Sequence, residues 1–218
     1  MKGMARALFI TLGFEEKFAV RALTRHGLDK GDKITLVTGP RIDKVDKAIN
    51  FISDFILKYY GGEVDLHVEE VLVHDIYAAI SLLRRVLNDR SRGADQVIVN
   101  LSGGMRVLIV AFIIALGLIN LPNLIVEIET EDSSTLIQIP TQIIKVWRHQ
   151  VGVEKTEILK ILVSRGDYMS SREIARLTGK DESTIRRHLS KLREIGLVEA
   201  KRFKPLLVKA SPTATIFI

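Results

Sequence analysis

Short apolar runs alternate with amphipathic stretches through the first 139 residues, and this alternation constrains the fold more than any other feature. Residues 5–12 form an apolar run closed by Gly13, as a buried strand would. Residues 15–26 carry helical spacing. Residues 33–38 read as a second strand, closed by Gly39-Pro40. Residues 43–60 place Val45, Ile49, Ile52, Phe55 and Ile56 on one helical face and stop at Gly61-Gly62. A third strand is expected over 64–73, then a helix over 75–88 capped by Asp75. A fourth buried strand follows over 96–101 and a helix over 105–120. Two strands, 124–129 and 135–139, flank the polar turn 131–134.

Such alternation requires parallel strands joined by right-handed crossovers, with helices on both faces. The last pair reads as an antiparallel hairpin on one edge. The expected fold is therefore α/β: a Rossmann-like domain with a mostly parallel sheet of about six strands, with ligands at the C-terminal strand ends. The helix at 105–120 has Val107, Leu108, Ile109, Val110, Phe112, Ile113, Ile114, Leu116, Leu118 and Ile119, and no polar face. A helix apolar all round must be covered all round. One side can lie on the sheet, and a second subunit is the simplest cover for the other, so a homodimer is expected, with complete burial inside one subunit as the alternative.

Charge divides the chain. Residues 1–139 hold 16 Lys and Arg against 18 Asp and Glu, a net of −2; residues 140–218 hold 16 against 8, a net of +8, giving the overall +6. A basic module attached to a near-neutral one points to a polyanionic partner. There is no cysteine, which excludes disulfides, thiolate zinc sites and cysteine nucleophiles. The five histidines lack ligand-like spacing, and no metal is expected. The apolar stretch 107–119 is too short for a bilayer, which needs about 20 residues, and the N-terminus has no cleavage signal. No membrane partner and a cytoplasmic location are expected. The divisions expected are a near-neutral α/β domain over 1–139, which also dimerises, a packed connector over 140–153, and a basic module over 154–218.

That last module reads helix, helix, short Gly turn, helix, hairpin. Helices are expected over 156–164, 173–178 and 182–195, with a capping box at Ser170 and Glu173, and Asp181 capping the third. Gly196 ends that helix, a strand opens at 197–199, and β-like runs follow at 206–209 and 215–218. This is the plan of a winged helix-turn-helix. Ile174, Ala175, Gly179, Leu189, Leu192, Gly196, Leu197 and Val198 make the stretch resemble the winged-helix regulators of prokaryotes. On the third helix Ile185, Leu189 and Leu192 share a buried stripe. Opposite lie Ser183, Arg187, Ser190 and Lys191, flanked by Thr184 and Arg186, a face suited to the major groove of double-stranded DNA. Lys201, Arg202, Lys204 and Lys209 would furnish the wing with phosphate or minor-groove contacts.

Two glycine loops follow strands: Thr11-Leu12-Gly13-Phe14 after the first, and Asn100-Leu101-Ser102-Gly103-Gly104-Met105-Arg106 after the fourth. Paired glycines at a helix start let N–H groups approach a phosphate, with Ser102 adding a hydroxyl and Arg106 a charge. Neither loop is a GxGxxG or a GxxxxGK[ST], so ordinary dinucleotide or NTP binding is disfavoured.

NLSGGMR after a late strand, with TLGF after the first, resembles the CARF domain of CRISPR-associated proteins. CARF followed by a winged helix resembles the archaeal CRISPR-associated transcriptional regulators of the Csa type. The resemblance implies a two-fold dimer that binds a cyclic oligoadenylate, often the four-nucleotide ring, across its axis. It implies ligand contacts from Thr11, Gly13 and Phe14, and from Asn100, Ser102, Gly103, Gly104 and Arg106. Met105 stands where the family often has Lys or Thr, and a thioether cannot hold a phosphate. The reading is of a non-enzymatic regulator with no cofactor beyond its effector. Two alternatives stand beside it: cleavage of the ring, with Thr11 and Arg106 as candidates, or a repressor responding to a phosphosugar or mononucleotide.

Overall fold

In the computed structural model, which describes residues 4–61, 64–147, 149, 151–203 and 205–218, with backbone alone at 202 and 203, the apolar runs become the centre of a six-stranded sheet. The chain divides into two units, Met1–Thr141 and Gln142–Ile218. In the first, β1 (Arg6–Leu12), β2 (Lys33–Thr38), β3 (Asp65–Glu70), β4 (Gln96–Asn100), β5 (Ile125–Glu129) and β6 (Leu136–Ile139) lie in the order β3-β2-β1-β4-β5-β6. All neighbours are parallel except β5 and β6, which pair antiparallel with Glu127 opposite Gln138. The chain builds outward from β1 to β3, then restarts on the other side of β1 with β4. The order therefore reverses between β1 and β4.

Both sheet faces are covered, which is why β1 is apolar at successive positions instead of alternating. On one face Leu8, Ile10 and Leu12 pack with Ala19, Leu23 and Ile52 of α1 (Lys17–His26) and α2 (Asp43–Tyr60). On the other, Phe9 meets Phe112 of the helix Arg106–Gly117 edge-on at 6.4 Å between ring centroids. Truncating Phe112 to Ala at that fully buried position costs about 3–5 kcal/mol. The third strand is shorter than the expected 64–73. The chain turns at 71–75, and Asp75 caps α3 (Ile76–Arg90) by accepting the Ala78 N–H at 3.0 Å.

α4 (Arg106–Gly117) buries Leu108, Ala111, Phe112, Ala115 and Leu116. Val107, Val110 and Ile114, with Leu118 just beyond, form an outward apolar stripe, Val110 at 54% and Leu118 at 55% exposure. α3, its neighbour, turns Ser81, Arg84, Arg85 and Asn88 outward instead.

The second unit contains most of α5 (Thr141–Val146), then α6 (Val153–Arg165), β7 (Met169–Ser170), α7 (Ser171–Thr178), α8 (Glu182–Glu194), β8 (Val198–Phe203) and β9 (Leu206–Ala210). Its core joins Ile158, Leu162, Ile174, Ile185, Leu189, Leu192 and Val208, and Val146 of the expected connector belongs to it. The capping box is present: the Ser170 hydroxyl accepts the Glu173 N–H, and the Glu173 carboxylate accepts the Ser170 N–H. Asp181 stands at the N-cap of α8 in extended conformation, but its side chain makes no cap bond, contrary to expectation. The run 215–218 is likewise not a strand. Pro212–Phe217 is a 3-10 turn, started by Pro212 and closed by the Thr215 hydroxyl donating to the Pro212 carbonyl. In the sheet order β7-β9-β8 both sides of β9 are taken, so the tail finds no free edge there.

Candidate ligand cavity and nucleic-acid interface

Because β1 and β4 are adjacent, the loops at their C-terminal ends meet, at the point where strand order reverses. They meet closely enough to require glycine. A Cβ on Gly103 would lie 2.7 Å from the Thr11 carbonyl oxygen, and one on Gly13 would lie 3.1 Å from the Gly104 nitrogen. Gly104 also has φ +90°, which side chains resist. The Thr11 hydroxyl donates to the Gly103 carbonyl at 2.6 Å, tying one loop to the other. Asn100 accepts the Ser102 N–H at 3.1 Å and donates to Glu127 Oε1 at 2.9 Å. Ser102 Oγ accepts the Glu129 N–H at 2.8 Å, so its own proton is free to donate elsewhere.

Beneath the loops, Glu127 and Glu129 of β5 are buried. Arg25 reaches both, at 2.8 and 2.9 Å; Arg21 pairs with Glu129, and His26 Nε2 lies 3.1 Å from Glu127. Burial by itself would raise the Glu127 pKa. Hydrogen bonds from His26 and Asn100, with the charges of His26 and Arg25, outweigh it and hold the carboxyl below its ordinary range. The second loop thus rests, through Asn100, on a neutralised ionic cluster.

Above the loops opens a cavity of about 570 Å³, lined by Gly13, Phe14, Glu15, Lys17, Phe18, Ser102, Gly103, Gly104, Met105, Arg106, Ile109 and Glu131. That volume suits a nucleotide-sized group. Arg106, the first residue of α4, is exposed and makes no ion pair among the described residues. Phe14 is 60% exposed, with Lys44 Nζ 5.8 Å from its ring centroid.

In the second unit α8 follows the α7 turn and presents Ser183, Arg186, Arg187, Ser190 and Lys191 outward, with Thr184 half-buried. Arg187 and Lys191 make no ion pair among the described residues. Arg186 is held by Glu182 at 2.8 Å, and Glu182 also accepts from the Ser171 hydroxyl. Lys201 is exposed, its Nζ 5.4 Å from the Tyr168 ring, and Lys209 is half-buried. Lys204 and the Arg202 side chain lie outside the described residues. On α7, Arg172 and Arg176 are exposed, two cations that a focus on the third helix passes over. Among the described residues no helix is long and apolar enough to cross a membrane, and no group of three or more His, Asp or Glu is placed to hold a metal.

Residues 6–140 match the model of the Csa3 CRISPR-associated Rossmann-like domain. The chain belongs to that family. Residues 154–200 match the model of bacterial regulatory proteins of the ArsR family. The two matches follow one another along the chain, a Csa3 domain and then a helix-turn-helix. No curated protein matches the sequence. Among solved structures, protein VC1899 from Vibrio cholerae is similar at 12% identity and a TM-score of 0.46. The match covers 97% of this chain and 63% of that one.

Within the Csa3 domain, six of the eight expected contact residues line the cavity: Gly13, Phe14, Ser102, Gly103, Gly104 and Arg106. Thr11 and Asn100 do not. Both are 1% exposed and serve as struts beneath the loops. Met105 packs across the β2–α2 loop, where a Cβ on Gly39 would meet its Sδ at 2.5 Å. Sequence reasoning missed Glu15, Lys17, Phe18, Ile109 and Glu131. The first four flank motifs already marked, so a wider window would have found them. Glu131 comes from the β5–β6 turn, and only the fold brings it to the cavity.

Proposed function

We propose that this chain is a homodimeric, ligand-switched regulator of CRISPR-associated genes. Its Csa3 domains sense a cyclic oligoadenylate, with the four-nucleotide ring as the expected form, and its winged helices bind double-stranded DNA. The observation that carries this reading is the position of Arg106. A guanidinium with no ion pair among the described residues stands at the N-terminus of α4, between the glycine cavity on one side and the apolar stripe of α4 on the other. A phosphate in that cavity would meet the N–H groups of a helix start, the free proton of Ser102 and the charge of Arg106. A second copy covering the stripe would bring an identical cavity up to the same axis, which suits a ring with two-fold symmetry.

Ring binding would favour one arrangement of the two protomers, and with it one spacing of the two α8 helices along DNA. The Thr11 hydroxyl is already committed to the Gly103 carbonyl, which favours a sensing role over ring cleavage. Titration with labelled cyclic tetra-adenylate tests the reading. The wild-type protein should bind tightly as a dimer, and Arg106→Ala should weaken binding by at least about ten-fold, the loss of one charge-assisted contact. A folded wild-type protein that binds no ring would overturn it.

A further inference from the structure

The Csa3 cavity contains a group that a phosphate site does not need. Two of its lining residues are carboxylates, and a carboxylate beside a phosphate repels it. Glu15 is neutralised by Lys17 at 2.8 Å. Glu131 is exposed and has no partner among the described residues.

Its position is not the accident of a loose loop. The β5–β6 turn is bonded internally: the Thr130 hydroxyl donates to Asp132 at 2.6 Å, the Ser134 N–H donates to the same carboxylate at 3.0 Å, and the Ser133 N–H donates to the Thr130 carbonyl at 2.7 Å. The carboxylate of Asp132 is consumed in building the turn. Glu131, one residue earlier and among the residues that line the cavity, keeps its carboxylate without a partner among the described residues. The turn is anchored to α1 as well, since Arg21 pairs with Glu129 and donates to the Ser133 carbonyl at 3.4 Å. A carboxylate is an acceptor-only group, so what it can take from a ligand in the cavity is a hydrogen-bond donor.

The rest of the wall says which kind. Phe14 offers a broad aromatic face, and Phe18 and Ile109 add apolar surface. A flat heterocycle fits that surface, with its phosphate toward Gly103, Gly104 and Arg106. An exocyclic amino group on the heterocycle would supply the donor, as the adenine N6 amino group does. The geometry points to Glu131 as the residue that selects an amino-bearing base, accepting a hydrogen bond from its amino group while the base lies against Phe14. This inference rests on the cyclic oligoadenylate reading and assigns its base specificity to a residue outside both glycine loops.

The test compares two rings on three proteins. One ring is cyclic tetra-adenylate; the other is its inosine counterpart, in which each amino group is replaced by a carbonyl oxygen. Wild type should prefer the adenylate ring by about ten-fold or more, one lost hydrogen bond with an acceptor left facing an oxygen. Glu131→Ala should bring the two affinities within about two-fold of each other. Glu131→Gln should bring them together or reverse them, because its amide can donate to the carbonyl. A preference kept intact in both variants overturns the assignment, and so does a wild type that binds both rings equally, which would still leave the sensor standing. A folded wild type that binds neither ring overturns the sensor reading and this inference with it.

Discussion

α4 and α8 occupy similar positions in their units: each follows a glycine-containing turn and buries one stripe in a core. They differ in what they turn outward. α4 shows Val107, Val110 and Ile114, whereas α8 shows Ser183, Arg187, Ser190 and Lys191. The inward faces have the same chemistry, Leu108 and Phe112 in one, Leu189 and Leu192 in the other. Inward faces thus account for the fold, and outward faces distinguish the partners proposed for the two units. An apolar outward face gains by meeting its own copy, and a cationic, hydroxyl-bearing one gains by meeting phosphates and base edges.

Placing a charge on each outward face separates these roles. Val110→Asp combined with Ile114→Asp should convert the proposed dimer to monomers in sedimentation velocity while each unit stays folded, the largest effect expected. Ser190→Asp on α8 should leave the dimer intact and lower DNA affinity. A double α4 variant that remains dimeric would show that the stripe is not the interface. Gly103→Ala comes next. Its methyl would press on the Thr11 carbonyl, costing about 1–3 kcal/mol of stability in a thermal melt. It should weaken ring binding more than DNA binding.

Within α8, Arg187→Ala should cost about 1–3 kcal/mol of operator binding. Arg186→Ala should cost less, because its guanidinium is already spent on Glu182. Equal losses would mean that Glu182 releases Arg186 on DNA. The smallest effect concerns acid stability. Glu127 has a lowered pKa in the folded protein, so its contribution is fully present above the ordinary carboxylate value and is lost as pH falls through the lowered one. Glu127→Gln should therefore flatten the acid limb of stability against pH in denaturant titrations.

Much of this contrast was legible in the sequence. The α/β alternation, the two glycine loops and the third-helix stripe rest on local spacing, and local spacing survives folding. What stayed hidden depends on neighbours far along the chain. Thr11 and Asn100 belong to motifs but point into the protein, because β1 and β4 adjoin and Glu127 lies beneath them. Glu131 belongs to no motif and reaches the cavity only through the β5–β6 hairpin. The 3-10 tail looked like a strand because nothing in its residues reveals that β7 takes the place beside β9. Arg186 has the residue type of a DNA contact, but Glu182 stands four residues before it on the same helix, and that spacing already pairs the two.

A ring bound in the Csa3 cavity should alter DNA binding by the winged helices. The most direct measurement is operator affinity at fixed salt, with and without saturating cyclic tetra-adenylate, for wild type and Arg106→Ala. The account predicts a shift of about five-fold or more in wild type, the usual scale of coupling between sites, and little shift in the variant. An operator affinity that does not change while the wild-type protein holds the ring would contradict it.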